Sequence, residues 1–263
     1  MKNKFFIPLL LALSFSACTP KLTLTNTQTH NIKINKDSLQ LRDAKIFNTI
    51  APYKIKLDSL MNEVLCYNNQ DLKKDLPEGT LGNFVCDELM AFAYYQINFL
   101  SLTNKLHTNI GPPRFCVYNN GGLRVGSIAK GNITVGNIFE LAPFDNELVV
   151  VTLEGKYCKQ LFDLMAQNNG APCSKDLRFD IENNKAINIT IGGQPFDENA
   201  VYNILTNDYV ANGGDKTEPM KNAKSVTSLN LMVREALIQQ LRVRTRNNQT
   251  INAVLDGRIK QIK

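Results

Sequence analysis

The chain reads as an α+β protein. Helical periodicity and strand alternation are interleaved without the regular strand–helix–strand repeat that a parallel sheet requires. One pair of neighbouring strands is separated by a hairpin signal. No internal repeat, low-complexity tract or transmembrane run interrupts the pattern.

Two helices are expected first. YKIKLDSLMNEVL places Tyr53, Leu57, Leu60, Met61, Val64 and Leu65 on one face, with Pro52 near its start. EGTLGNFVCDELMAFAYYQINFL follows, capped near Thr80, with Leu81, Phe84, Val85, Phe92 and Phe99 directed inward. Strands then dominate. RFCVYN is a short buried strand running into a glycine pair, and ITVGNIFEL is a strand that enters a helical turn. ELVVVTLEG is another strand, and GKYCKQLFDLMAQ a helix after it. DLRFDI and AINITI flank ENNK as a hairpin. VYNILTNDYV alternates as a strand up to the Gly213–Gly214 bend, and SLNLMVREALIQQL closes the fold as an amphipathic helix capped at Ser228.

The N-terminus belongs to export rather than to the fold. Residues 1–17, MKNKFFIPLLLALSFSA, have a basic start at Lys2 and Lys4, an apolar run too short to span a bilayer, and small residues ahead of Cys18. This is a secretory signal, and Cys18 sits where a bacterial lipoprotein is cleaved and lipidated; an ordinary cleavage site with Cys18 as a bystander is the alternative. Residues 18–37 read as a tether and 38–263 as the folded domain, attached to the bacterial envelope through the lipid alone and facing away from the cytoplasm, either toward the periplasm or as an outer-membrane lipoprotein.

Charge and residue inventory exclude several functions. The chain has 30 basic and 24 acidic side chains; losing Lys2 and Lys4 with the signal leaves 28 against 24. With no basic run, a nucleic acid polymer is not an expected partner. Six cysteines are present. Cys66, Cys86, Cys116 and Cys158 sit in apolar contexts as small core residues do, and Cys173, in a loop, is free to pair with one of them. There is no CxxC for zinc, no GxSxG, no P-loop and no HExxH. The two histidines, His30 and His107, are too few for a two-metal phosphohydrolase centre. No metal or cofactor is therefore expected in this chain, and no residue is assigned a catalytic role.

What remains suits binding. YNNGGLR places Gly121 and Gly122 where backbone can approach a ligand, followed by Arg124, whose planar fork of donors matches phosphate or carboxylate; a tight turn with a solvated arginine is the alternative. APFDN sets Phe144 behind a proline, where it either packs into the core or stacks on a ligand. NDYVANGGD offers Asn207, Tyr209 and Asp215 across the flexible Gly213–Gly214 turn. Two aromatic faces, a carboxylate, an arginine and glycine-lined loops together make a site for a flat polar ligand.

Three stretches, LGNFVCDELM, YNNGGLRVGSIAKGNITVGNIFELAPFDNELVVVTLEG and YNILTNDYVANGGD, resemble the signature blocks of the C-terminal domain of 5'-nucleotidases, in that family's order, from roughly Lys56 to Gly257. The resemblance implies a mixed-sheet layered sandwich that supplies substrate specificity, with two divalent metals held in a separate metallophosphatase domain. It implies that Phe144 and Tyr209 sandwich a nucleobase, that Asp215 binds the ribose hydroxyls, that Arg124 reaches the phosphate or ribose side, and that Asn119 contacts base or sugar. Where the family often has an arginine ahead of its GN helix, this chain reads KKDLPEGTLGN, with Lys73 or Lys74 as the stand-in. Two functions follow as expectations. One is the specificity half of a split nucleotidase, completed by a separately encoded metallophosphatase subunit. The other is a non-catalytic nucleoside- or nucleotide-binding lipoprotein.

Overall fold

The computed structural model describes residues 26–29, 43–102 and 111–262, without the side chains of 98–102. The signal segment, Cys18, most of the tether, His30, His107 and the side chain of Phe99 lie outside the described residues. Two compact units divide at Pro52/Tyr53. In the first, residues 26–29 are exposed without regular structure, and 44–52 belong to helix α1.

Helix α1 spans Ala44–Met61, with Pro52 in its interior and no buried residue. The expected helix therefore starts earlier and stops sooner than its periodicity indicated. Val64 and Leu65 belong to strand β1 (Val64–Asn68), where alternation exposes Val64 and buries Leu65. Tyr53, Leu57 and Leu60 are exposed rather than facing a core.

The second unit is layered. Its central sheet has the order β11 (Ser225–Met232), β6 (Glu147–Glu154), β10 (Val201–Asn207), β3 (Phe115–Cys116). Alternation along β6 sends Leu148 and Val150 to one face and Val149, Val151 and Leu153 to the other. The first face packs on α2 (Thr80–Leu102) through Leu81, Phe84, Val85 and Leu89, and on α6 (Val233–Arg246) through Leu237 and Leu241. The opposite face packs on α4 (Gly155–Gln167) through Leu161, Phe162 and Met165. That core continues into a second sheet, β12 (Ile259–Gln261), β7 (Leu177–Glu182), β8 (Lys185–Ile191), β9 (Gln194–Pro195). Burial on both faces explains the unbroken apolar run LVVV in β6. Two small pairs, β1 with β5 (Gly131–Thr134) and β2 (Leu72–Lys73) with β4 (Ser127–Ile128), complete the unit.

Local signals were obeyed where they were self-contained. Asn183 and Asn184 turn the β7–β8 hairpin with φ of 48° and 60°. Thr134 and Asn137 close a capping box at the start of α3 (Val135–Leu141). Thr134→Ala is expected to cost about 1 kcal/mol, read as a shift in the denaturant midpoint. Two further expectations fail. Ser228 lies in β11, not at a helix cap, and its hydroxyl donates to Glu147 at 2.7 Å. The strand expected to run through Val210 ends at Asn207, whose side chain accepts from the Val210 amide and caps the short helix α5 (Asp208–Ala211). The cysteines Cys66, Cys86, Cys116, Cys158 and Cys173 are all buried and free, so Cys173 pairs with none of them. Burial pushes the Cys86 and Cys173 thiols well up and Cys158 to about 12, which leaves them inert.

Candidate functional site

The site arises from strand direction. β10 runs parallel to β3 and antiparallel to β6, with Asn207 opposite Leu148. The exits of β3 and β10 and the entry of β6 therefore share one sheet edge. Asn119 follows β3, Tyr209 follows β10 and Phe144 precedes β6, so three segments distant in sequence converge there.

They enclose an open cleft of ≈ 350 Å³ lined by Asn119, Gly121, Gly122, Arg124, Phe144, Asn146, Tyr209 and Asp215. Phe144 is 46% and Tyr209 45% exposed, and both line the cleft. Each ring has something against it. An ideal Cβ on Gly214 would come within 2.5 Å of Cδ1 and Cζ of Tyr209, so the ring lies directly against the glycine backbone and no side chain fits there. The Arg124 guanidinium carbon stands 5.6 Å from the Phe144 ring centroid. Arg124 also donates to the Gly121 carbonyl at 3.4 Å and makes no ion pair among the described residues, which leaves donors for an anion.

A chain of hydrogen bonds ties the cleft together. The Asn119 amide donates to Asp215 Oδ2 at 2.7 Å, and the Tyr209 hydroxyl donates to Asp215 Oδ1 at 3.0 Å. Behind them Asn207, fully buried, donates to Asn119 Oδ1 at 3.1 Å. Gly122 allows this packing: a Cβ there would approach Tyr118 Cε1 to 2.6 Å and Asn119 Oδ1 to 2.8 Å. Burial pushes the Tyr118 phenol up to about 12, with the Asn207 hydrogen bond pulling the other way, so it stays neutral at physiological pH.

Of the residues expected in the site, Asn207, Gly213 and Gly214 do not line the cleft. Asn207 is a buried pivot, Gly213 turns the chain with φ of 86°, and Gly214 supports the Tyr209 ring. Lys73 lies in β2 and Lys74 donates to the Leu123 carbonyl at 2.9 Å; neither lines the cleft. Sequence reading passed over Arg234 altogether. From the first turn of α6 its guanidinium donates to the carbonyls of Pro143 at 3.3 Å and Phe144 at 3.1 Å, pairs with Asp145, and lies 5.0 Å from the Phe139 ring centroid. No local motif marks it, because its partners lie about ninety positions away. Arg234→Ala is expected to loosen the Phe144 loop and lower stability by about 1–2 kcal/mol, measured by denaturant unfolding. Ligand affinity should weaken in the same variant.

The residues of the cleft do not fit a pair of divalent metals. They include one carboxylate, already accepting two hydrogen bonds, and a guanidinium that repels cations. Among the described residues no group of three His, Cys, Asp or Glu side chains could hold a metal ion.

The family model for the 5'-nucleotidase C-terminal domain matches residues 58–222. The trifunctional nucleotide phosphoesterase protein YfkN of Bacillus subtilis is 26% identical over 230 residues, which is 80% of this chain and 14% of that protein. The structure of the 5'-nucleotidase precursor from Thermus thermophilus aligns with a TM-score of 0.63 at 25% identity, covering 84% of this chain and 44% of that one. The NAD nucleotidase of Haemophilus influenzae shares the fold, with a TM-score of 0.58 at 20% identity over 86% of this chain and 44% of that one. The chain thus spans less than half the length of these relatives. It belongs to the family of 5'-nucleotidase C-terminal domains.

Proposed function

We propose that this domain binds a nucleoside or nucleotide in the Phe144–Tyr209 cleft and serves as the specificity half of a nucleotide phosphohydrolase. The carrying observation is the convergence of two exposed rings, a hydrogen-bonded carboxylate and an arginine without an ion pair among the described residues around one cleft. A base stacked on both rings gains about 1–3 kcal/mol per stacking contact. Asp215 and Asn119 face the sugar, and Arg124 faces the phosphate side.

Hydrolysis is assigned to a separately encoded metallophosphatase subunit holding two divalent metals, since this chain's two histidines and the donor set of its cleft do not suit that chemistry. The chain would act outside the cytoplasm, lipidated at Cys18, in nucleotide scavenging. The test is phosphate release from AMP by the candidate subunit, with and without this protein. Faster release in the mixture is expected; equal rates overturn the split-enzyme reading.

A second reading rests on the same cleft, where Asn119, Arg124, Phe144, Tyr209 and Asp215 already stand together. A non-catalytic nucleoside- or nucleotide-binding lipoprotein would titrate with adenosine or AMP in the absence of metal and would leave the subunit's rate unchanged.

A further inference from the structure

The segment that carries the carboxylate is backbone-strained. Asp215 has φ 52° and ψ 33°, and Lys216 follows with φ 66°. Left-handed backbone is uncommon away from glycine, and two such residues in a row need outside support. The Tyr209 hydroxyl supplies it. Its oxygen accepts from the Asp215 amide at 3.3 Å while its proton goes to Asp215 Oδ1 at 3.0 Å. One hydroxyl thus uses its donor and an acceptor site on the same residue, closing a small ring around the strained aspartate.

The consequence lies in the lone pairs that remain. An ionised carboxylate offers about four acceptor sites, two on each oxygen. Tyr209 occupies one on Oδ1 and Asn119 one on Oδ2. One site is left on each oxygen, and each oxygen is held by its own donor. A pair of adjacent hydroxyl donors, as on a vicinal diol, matches two adjacent acceptors. A ligand with one hydroxyl, or none, leaves an acceptor unused.

We propose that the Tyr209 hydroxyl is a positioning group that presets Asp215 as a two-oxygen acceptor for a vicinal diol. The phenol therefore does two jobs: its ring forms a wall of the cleft, and its oxygen sets the cleft's preference for ribose over deoxyribose. The inference rests on the proposed nucleoside-binding reading and assigns within it a role that a phenylalanine cannot fill.

The experiment is calorimetric titration of the full chain with adenosine, 2′-deoxyadenosine and 2′,3′-dideoxyadenosine, compared with Tyr209→Phe. The variant keeps the ring and loses only the oxygen. The ratio of adenosine to dideoxyadenosine affinity is expected to fall about tenfold. In an Asp215→Ala background the same change should leave the ratio where it was, because the group being positioned is gone. Equal weakening of all three ligands, which a merely structural role would give, overturns the inference, as does an unaltered ratio. If the unchanged protein binds adenosine while the ratio stays fixed in Tyr209→Phe, only this inference falls. If the unchanged protein binds none of the three, the nucleoside reading falls and takes this inference with it.

Discussion

Arg258→Ala is expected to lower the stability of the domain by about 3–5 kcal/mol, because the partly buried carboxylates of Asp87 and Asp256 and the buried Cys173 carbonyl lose their shared partner. Arg258 is 3% exposed, and each of its five N–H donors is used. Two go bidentately to Asp87 at 3.0 Å, two to the carboxylate of Asp256 at 2.9 and 3.0 Å, and one to the Cys173 carbonyl at 2.8 Å. Glu78, half-buried, lies 3.8 Å away and accepts from the backbone amides of Asp256 and Gly257. One side chain therefore ties the C-terminal segment to α2 and to the loop ahead of β7. Arg258→Lys should recover little, because a single ammonium cannot reproduce the fork. The measurement is the midpoint of urea unfolding, followed by circular dichroism.

The same cluster carries a pH dependence. Burial pushes the Asp256 carboxyl up, but the hydrogen bond and charge of Arg258, with the charge of Arg178, outweigh it and hold the group below the ordinary aspartate range. A carboxyl lowered in the folded state adds stability that is fully present above its unfolded value of about 3.9 and disappears as pH falls through the lowered folded value. The acid side of the stability profile should therefore flatten in Asp256→Asn.

Tyr209→Ala is expected to weaken nucleoside binding by about 1–3 kcal/mol through lost stacking alone. The total should exceed that of Phe144→Ala, because of the two rings only Tyr209's also carries a hydroxyl bonded to Asp215, the carboxylate proposed to meet the sugar. The variant further empties the space against Gly214, where the ring now lies. Titration of adenosine into both variants gives the comparison. A larger loss for Phe144→Ala would place the stronger half of the cleft on the other wall.

Much of the molecule was legible from short range. The capping box at Thr134 and Asn137 needs residues three apart, and the β7–β8 turn needs two asparagines that tolerate positive φ. The helix α4 follows from an apolar face at helical spacing. Errors came where a neighbour distant in sequence outweighed local pattern. Val64 and Leu65 continue the apolar spacing of α1, yet pairing of β1 with β5 draws them into a strand. Ser228 looks like a cap, but pairing of β11 with β6 places it opposite Val149. Tyr209 and Val210 prolong the alternation of β10, yet the Asn207 side chain takes the Val210 amide and turns the chain.

By its sequence alone this chain declared its fold class, most of its elements, its family and most of the residues that line one cleft, because these rest on spacing within a few turns or strands. Only the tertiary structure decided which of those residues share a wall. It set Asn207 behind the cleft, put Arg234 and Arg258 to work on partners far along the chain, and joined the Tyr209 hydroxyl to a strained Asp215. The physical reason is that hydrogen-bond direction and strand register are fixed by the packed sheet, and a list of side chains does not contain them.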